Sequence, residues 1–150
     1  MEIIRATLDH LDAVAPLFDG YRQFYQQPSD LAAARSFLRA RLSQGESVIF
    51  LAEIHGRPAG FTQLYPSWSS VSMRRLWILN DLFVHPDFRQ RGVGEGLLER
   101  ARQYAIETDA KGLMLETAVD NLPAQRLYER LGWVREVEFY TYTLATPSQP

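Results

Sequence analysis

The chain has 150 residues, 46% of them apolar and 23% charged, and a formal charge of −2. That size suits a single domain over 1–150, too apolar for a disordered chain and without the positive charge that would give a bulk electrostatic grip on nucleic acid. Cysteine is absent, which removes disulfides, thiolate metal sites and acyl-cysteine chemistry together, and His10, His55 and His85 form no His-x-x-x-His pair, so no metal is expected.

Glu2 to Ala6 reads as a short strand, with Thr7 as the N-cap of a helix over about 8–26 carried by Leu8, Leu11, Val14, Ala15, Phe18, Tyr21 and Tyr25. Pro28-Ser29-Asp30 breaks and recaps the chain, and Leu31, Ala34, Phe37, Leu38 and Leu42 mark a second helix closed by Gly45. Val48 to Ile54 and Ala59 to Tyr65 predict a hairpin around His55-Gly56-Arg57-Pro58. Leu76 to Val84 is the next strand, with Asn80-Asp81 interrupting its apolar run where a bulge is expected. Leu97, Leu98, Ala101, Tyr104 and Ala105 predict a third helix. A strand over Gly112–Thr117, a fourth helix over Asn121–Leu131 stopped by Gly132, and a last strand over Glu136–Leu144 follow. The order β-αα-βββ-α-β-α-β is that of a mixed α/β (α+β) domain. Thr146-Pro147-Ser148-Gln149-Pro150 is expected to fray.

No run approaches the roughly 18 apolar residues that span a bilayer, and Met-Glu-Ile-Ile-Arg lacks a signal peptide's cationic start and apolar run. A cytoplasmic protein with no membrane or nucleic-acid partner is the expectation. Of the 16 basic residues only Lys111 is lysine. Genomic base composition accounts for that as well as any functional reason does.

The most informative segment runs from Val84 to Leu98, where a strand ends, an arginine-bearing loop follows and glycines open a helix. Glycine allows positive φ and close approach of a ligand, and the first N–H groups of a helix lack intrahelical partners and favour anions. Arg89 and Arg91 would add charge-assisted hydrogen bonds, so the loop predicts a diphosphate cradle. The bland alternative is a Gly-rich turn with solvated arginines. A Rossmann turn is the sharper competitor, since Gly92-x-Gly94 and Glu116 imitate its glycines and ribose-binding acid. Against it, Leu97 stands at the third glycine position and His85 to Arg91 separates strand from glycines.

Arg89-Gln90-Arg91-Gly92-Val93-Gly94 fits the Arg/Gln-x-x-Gly-x-Gly/Ala motif, and Asn121-x-x-Ala124-x-x-x-Tyr128-x-x-x-Gly132-Trp133 looks like a second coenzyme-binding segment. With the element order, these make the whole chain resemble the GNAT superfamily of N-acetyltransferases. The resemblance implies a central mixed, mostly antiparallel sheet, splayed between its fourth and fifth strands and flanked by helices. It implies an acetyl-CoA-dependent transferase, with the backbone amides of Arg91 to Gly94 on the pyrophosphate and Leu82, Phe83 and Val84 beside the pantetheine. Asn121 would contact the pantetheine, with Ala124 close by.

The amine acceptor needs to lose a proton, the developing oxyanion needs a donor, and the departing sulfur needs a proton. A backbone N–H near Leu82 can serve the oxyanion, and Tyr128 can protonate the thiolate. Tyr128 otherwise reads as a core tyrosine on the Leu127/Leu131 face of its helix. Around Leu79 to Val84 the chain resembles the diamine acetyltransferases, except that Asn80 stands where they carry a glutamate. Asparagine cannot take a proton at neutral pH, which leaves Asp81, Glu116 or an ordered water chain as the base. Tyr21, Phe24, Tyr25, Tyr65, Trp68 and Trp77 are candidates to line the acceptor groove, and Asp30 or Glu53 to attract an amine. Direct transfer to a small-molecule, amino-acid or protein amine is the leading reading, and a non-catalytic acyl-CoA sensor the alternative. Tyr140 and Tyr142, on the expected last strand, are candidates for a homodimer contact.

Overall fold

The computed structural model describes residues 1–148, and Gln149 and Pro150 of the tail expected to fray lie outside the described residues. The chain divides into two compact units, Met1–Glu116 and Thr117–Pro150.

The first unit holds β1 (Glu2–Arg5), α1 (Leu11–Phe24), α2 (Leu31–Ser43), β2 (Val48–Ile54), β3 (Arg57–Ser69), β4 (Arg74–Val84), α3 (Val93–Glu107) and β5 (Gly112–Met114). Its sheet has the order β1-β2-β3-β4-β5, antiparallel except for the parallel β4–β5 pair joined by the α3 crossover. Thr7 caps a 3-10 turn (Leu8–His10) through a capping box with His10, and α1 continues from it. Asp30 caps α2 by accepting the Ala33 N–H at 3.1 Å. Gly45, at φ +64°, ends that helix with the paired Gly45→Leu42 and Glu46→Arg41 backbone bonds of a Schellman motif.

Apolar periodicity in α1 and α2 buries Leu11, Val14, Ala15, Phe18, Ala34 and Leu38 against Ile49, Leu51 and Phe61. The neighbouring strand positions Val48, Phe50 and Leu64 are also buried, as are Leu97, Leu98 and Ala101 of α3. In that second layer Tyr104 packs edge-on against Phe50 and Trp77, with ring centroids 5.5 and 5.1 Å apart. Period-2 alternation in the strands therefore feeds two cores.

β3 and β4 run longer than their apolar stretches predict, because their polar ends pair with each other from Tyr65↔Ile78 to Ser69↔Arg74. β5 is shorter than expected. It pairs only along Leu76↔Gly112 to Ile78↔Met114, while β4 runs on to Val84. The sheet opens between its fourth and fifth strands.

The second unit contains α4 (Leu122–Arg130), begun by Asn121, whose Oδ1 accepts the Ala124 N–H at 3.3 Å. Gly132, at φ +96°, closes it with Gly132→Glu129 and Trp133→Tyr128 bonds at 3.1 and 2.9 Å. The strand expected over Glu136–Leu144 does not form among the described residues. Alternation specifies two faces, but a strand exists only where a neighbour accepts its ladder bonds. Val137, Phe139, Tyr140, Tyr142 and Leu144 are instead exposed.

Candidate active site

The β3–β4 ladder pairs Gln63 with Asp81 and then Leu64 with Leu79, so Asn80 has no partner opposite it. This is the expected bulge, and it sets Asn80 at the surface while Asp81 stays 2% exposed. Asp81 Oδ1 accepts Asn80 Nδ2 at 2.7 Å, and Oδ2 accepts Gln63 Nε2 at 2.5 Å. The Tyr21 hydroxyl donates to the Asn80 carbonyl at 3.1 Å, and Thr62 Oγ1 donates to the Asp81 carbonyl at 2.8 Å. Helix α1 comes close here because residue 20 is glycine: a methyl there would sit 3.0 Å from the Phe83 ring.

Burial pushes the Asp81 carboxyl above the ordinary carboxylate range, against the opposing hydrogen bonds from Asn80 and Gln63. Burial and the Asp81 charge raise the Tyr21 phenol, and the same causes push Tyr65 up to about 12. No arginine, lysine or histidine pairs with Asp81 among the described residues. Gln63 is fully buried, and its Oε1 has no hydrogen-bond partner.

Tyr21 and Tyr25 lie with ring centroids 5.1 Å apart, and Phe24 meets Tyr25 at 5.2 Å. One of the candidate groove aromatics is elsewhere: Trp77 packs on Tyr104 and donates Nε1–H to Thr108 Oγ1 at 2.9 Å. Trp68 is exposed, 4.2 Å from the Arg75 guanidinium. Asp30 is engaged as a helix cap. Gln63 escaped the sequence reading, although a polar residue two positions after Phe61 in an apolar strand was its available signal.

The second group of candidate residues follows β4. A 3-10 turn (Pro86–Phe88) leads to Arg89, whose Nε donates to the Val84 carbonyl at 3.2 Å. Gln90 and Gly92 take positive φ, +60° and +77°, and Gly92 is the N-cap of α3 without a side-chain capping bond. The first intrahelical bond joins the Gly96 N–H to the Gly92 carbonyl at 3.0 Å, so the N–H groups of Val93 and Gly94 lack α-helical partners. Arg91 is exposed, with its guanidinium 5.6 Å from the Phe88 ring, and Val93 anchors the turn in the core at 1% exposure. Leu82, Phe83 and Val84 are half-buried on the stretch of β4 beyond Ile78↔Met114.

Glu116 is exposed past the end of β5. In the second unit Tyr128 lies on α4 with its ring 6.1 Å from Trp133, and Asn121 and Ala124 form the start of that helix. No group of three or more His, Cys, Asp or Glu able to hold a metal occurs among the described residues. No helix there is long and apolar enough to cross a membrane.

Comparison with known proteins agrees with this architecture. The acetyltransferase (GNAT) family model matches residues 12–133. An uncharacterized N-acetyltransferase of Bacillus subtilis, YhfO, is 49% identical over 99% of this chain and 100% of its own length. The crystal structure of a probable acetyltransferase is 46% identical, with a TM-score of 0.94 over 99% of this chain and 100% of that one. An aminoglycoside N-acetyltransferase in complex with CoA shares the fold at 20% identity, with a TM-score of 0.79 over 97% of this chain and 95% of that one.

Proposed function

We propose that this chain, which belongs to the acetyltransferase (GNAT) family, is one acetyl-CoA-dependent N-acetyltransferase domain that passes an acetyl group directly to a primary amine. The observation that carries the reading is the open side of β4: β5 leaves it at Ile78↔Met114, and the uncapped Gly92 turn follows at its far end. The first-turn amides, a left-handed Gly92 with open space where a Cβ would stand, and two arginines fit a diphosphate. The stretch at Leu82, Phe83 and Val84, laddered to β3 on one edge and without a β5 partner on the other, offers main-chain groups to the amides of an extended arm, as an adjacent strand would. Arg89, Gln90, Arg91, Gly92, Val93 and Gly94 would hold the pyrophosphate, and Asn121, Ala124 and Tyr128 the second coenzyme contact.

Bound there, acetyl-CoA would supply an activated acetyl thioester. As the nitrogen–carbon bond forms and the carbon–sulfur bond breaks, the chain has three tasks. Asp81, with Glu116 as the second carboxylate, takes the proton leaving the acceptor nitrogen, directly or through water. A main-chain N–H near Leu82 donates to the oxygen on which negative charge grows. Tyr128 gives the sulfur its proton. Burial favours Asp81 over Glu116, because a raised proton affinity matches a base to its working pH. The acceptor is a small-molecule or protein amine, the setting cytoplasmic and the assembly a homodimer in this reading. Thiol release from acetyl-CoA across a panel of amines tests it. Tight acetyl-CoA binding without turnover on any amine would leave a sensor, and binding of NADH in place of acetyl-CoA would overturn it.

A further inference from the structure

The polar groups around the β4 bulge are unbalanced in kind. Asp81 contributes a carboxylate at 2% exposure, Asn80 a carbonyl, and Gln63 a fully buried Oε1 that nothing satisfies. All are hydrogen-bond acceptors. The donors present, Gln63 Nε2, Asn80 Nδ2 and the Tyr21 hydroxyl, are already committed to Asp81 or to the Asn80 carbonyl. No cation pairs with Asp81 among the described residues, and Arg41, a charged neighbour of Tyr65, is engaged by Glu46 at 3.3 Å. Buried acceptors left without a donor are costly, and an ammonium brings donors and no acceptor. Tyr21 and Tyr65 add ring faces that attract cations.

We infer that the acceptor is an amine whose nitrogen-bearing carbon carries no carboxylate, selected by the Asp81 carboxylate and the Asn80 carbonyl, acceptors with no cation paired to them. This rests on the acetyl-transfer reading and narrows it. A free α-amino acid would bring its own carboxylate to within a few ångströms of Asp81, which has no arginine or lysine ion-paired to it to offset the second negative charge. The like charges repel, and the extra oxygens find no donors. An amide or ester in place of that carboxylate removes the penalty, so peptide N-termini and simple amines remain acceptable.

The test compares tyramine, tyrosine methyl ester and tyrosine as acceptors, and in parallel phenethylamine against phenylalanine, by thiol release from acetyl-CoA. The amine and the ester should each exceed the amino acid in kcat/KM by about tenfold or more. The ester separates charge from bulk. Tyrosine matching tyramine would overturn the inference, and so would the ester behaving like tyrosine. No turnover with any of the five, nor with any peptide or other amine of the wider panel, would instead overturn acetyl transfer itself, and this inference with it. In Asp81→Asn, whose integrity is checked by unchanged acetyl-CoA affinity, the residual rates should lose most of the discrimination. Full discrimination retained there would remove Asp81 as its source.

Discussion

Gln63 and Asp81 face each other across β3 and β4, with Nε2 2.5 Å from Oδ2, on the last matched row before the ladder slips past Asn80. The slip brings a carboxylate to the buried side of the sheet and spends Asn80 on the surface. A chain with the amide Asn80 at the slip therefore still carries an acid one residue on, clamped from its own strand and from the strand beside it.

The buried acid sets an expected pH dependence. Asp81 accepts a proton only when ionised, so kcat/KM should rise with pH along a limb displaced above the ordinary carboxylate range. Asp81→Asn should lower kcat by about 10²- to 10⁴-fold and abolish that limb. A variant that keeps the wild-type limb would assign it to another group.

Stability should respond to the same residue in the opposite sense from an ordinary ion-paired carboxylate. The folded pKa lies above the unfolded one, so the folded chain holds the proton more tightly. That stability is full below the unfolded pKa and is lost as pH rises through the folded value. Urea midpoints across this window should fall for the wild type and stay flatter for Asp81→Asn.

Asp19 should behave the other way. Its carboxylate accepts Ser29 Oγ at 2.7 Å and the Asp30 N–H at 2.8 Å, tying the α1–α2 connection to α1. These bonds, led by Ser29, hold its pKa below the usual value. Their contribution is present above the unfolded pKa and lost as pH falls through the folded one. Asp19→Ala should cost about 1–3 kcal/mol near neutral pH, and thermal melts of the two chains should converge in acid.

Gly94→Asp places a carboxylate in the first turn of α3, beside amides whose dipole favours anions. Against a bound diphosphate the like charges repel, so acetyl-CoA affinity should fall by about tenfold or more. Calorimetric titration reads this directly, and wild-type affinity would remove the pyrophosphate from this turn.

Tyr128→Phe separates proton donation from binding. The turnover number should fall by about 10²-fold while the acetyl-CoA dissociation constant changes little. Equal losses in both would make Tyr128 a binding residue only, and unchanged turnover would end its candidacy as the acid.

Local signals carried much of the fold. Thr7, Asp30 and Asn121 cap helices, Gly45 and Gly132 end them in left-handed turns, and the Asn80-Asp81 interruption is a bulge. Each depends on neighbours a few residues away. Features that need a distant partner were hidden. Glu136–Leu144 has the alternation of a strand without a ladder, and the polar ends of β3 and β4 form one without the alternation. In the candidate site Asp81 was legible as a carboxylate beside a polar break. Its hold by Gln63 was not, because the residues are 18 apart and only the register brings them together. Trp77 illustrates the reverse error, an aromatic suited to a groove that the strand's alternation turns toward Tyr104.

Initial rates of thiol release, measured while acetyl-CoA and tyramine are varied together, test the central claim most directly. Direct transfer in a chain without cysteine predicts amine-dependent release and intersecting double-reciprocal lines. Release that ignores the amine, or parallel lines that mark an acetylated enzyme, would contradict it.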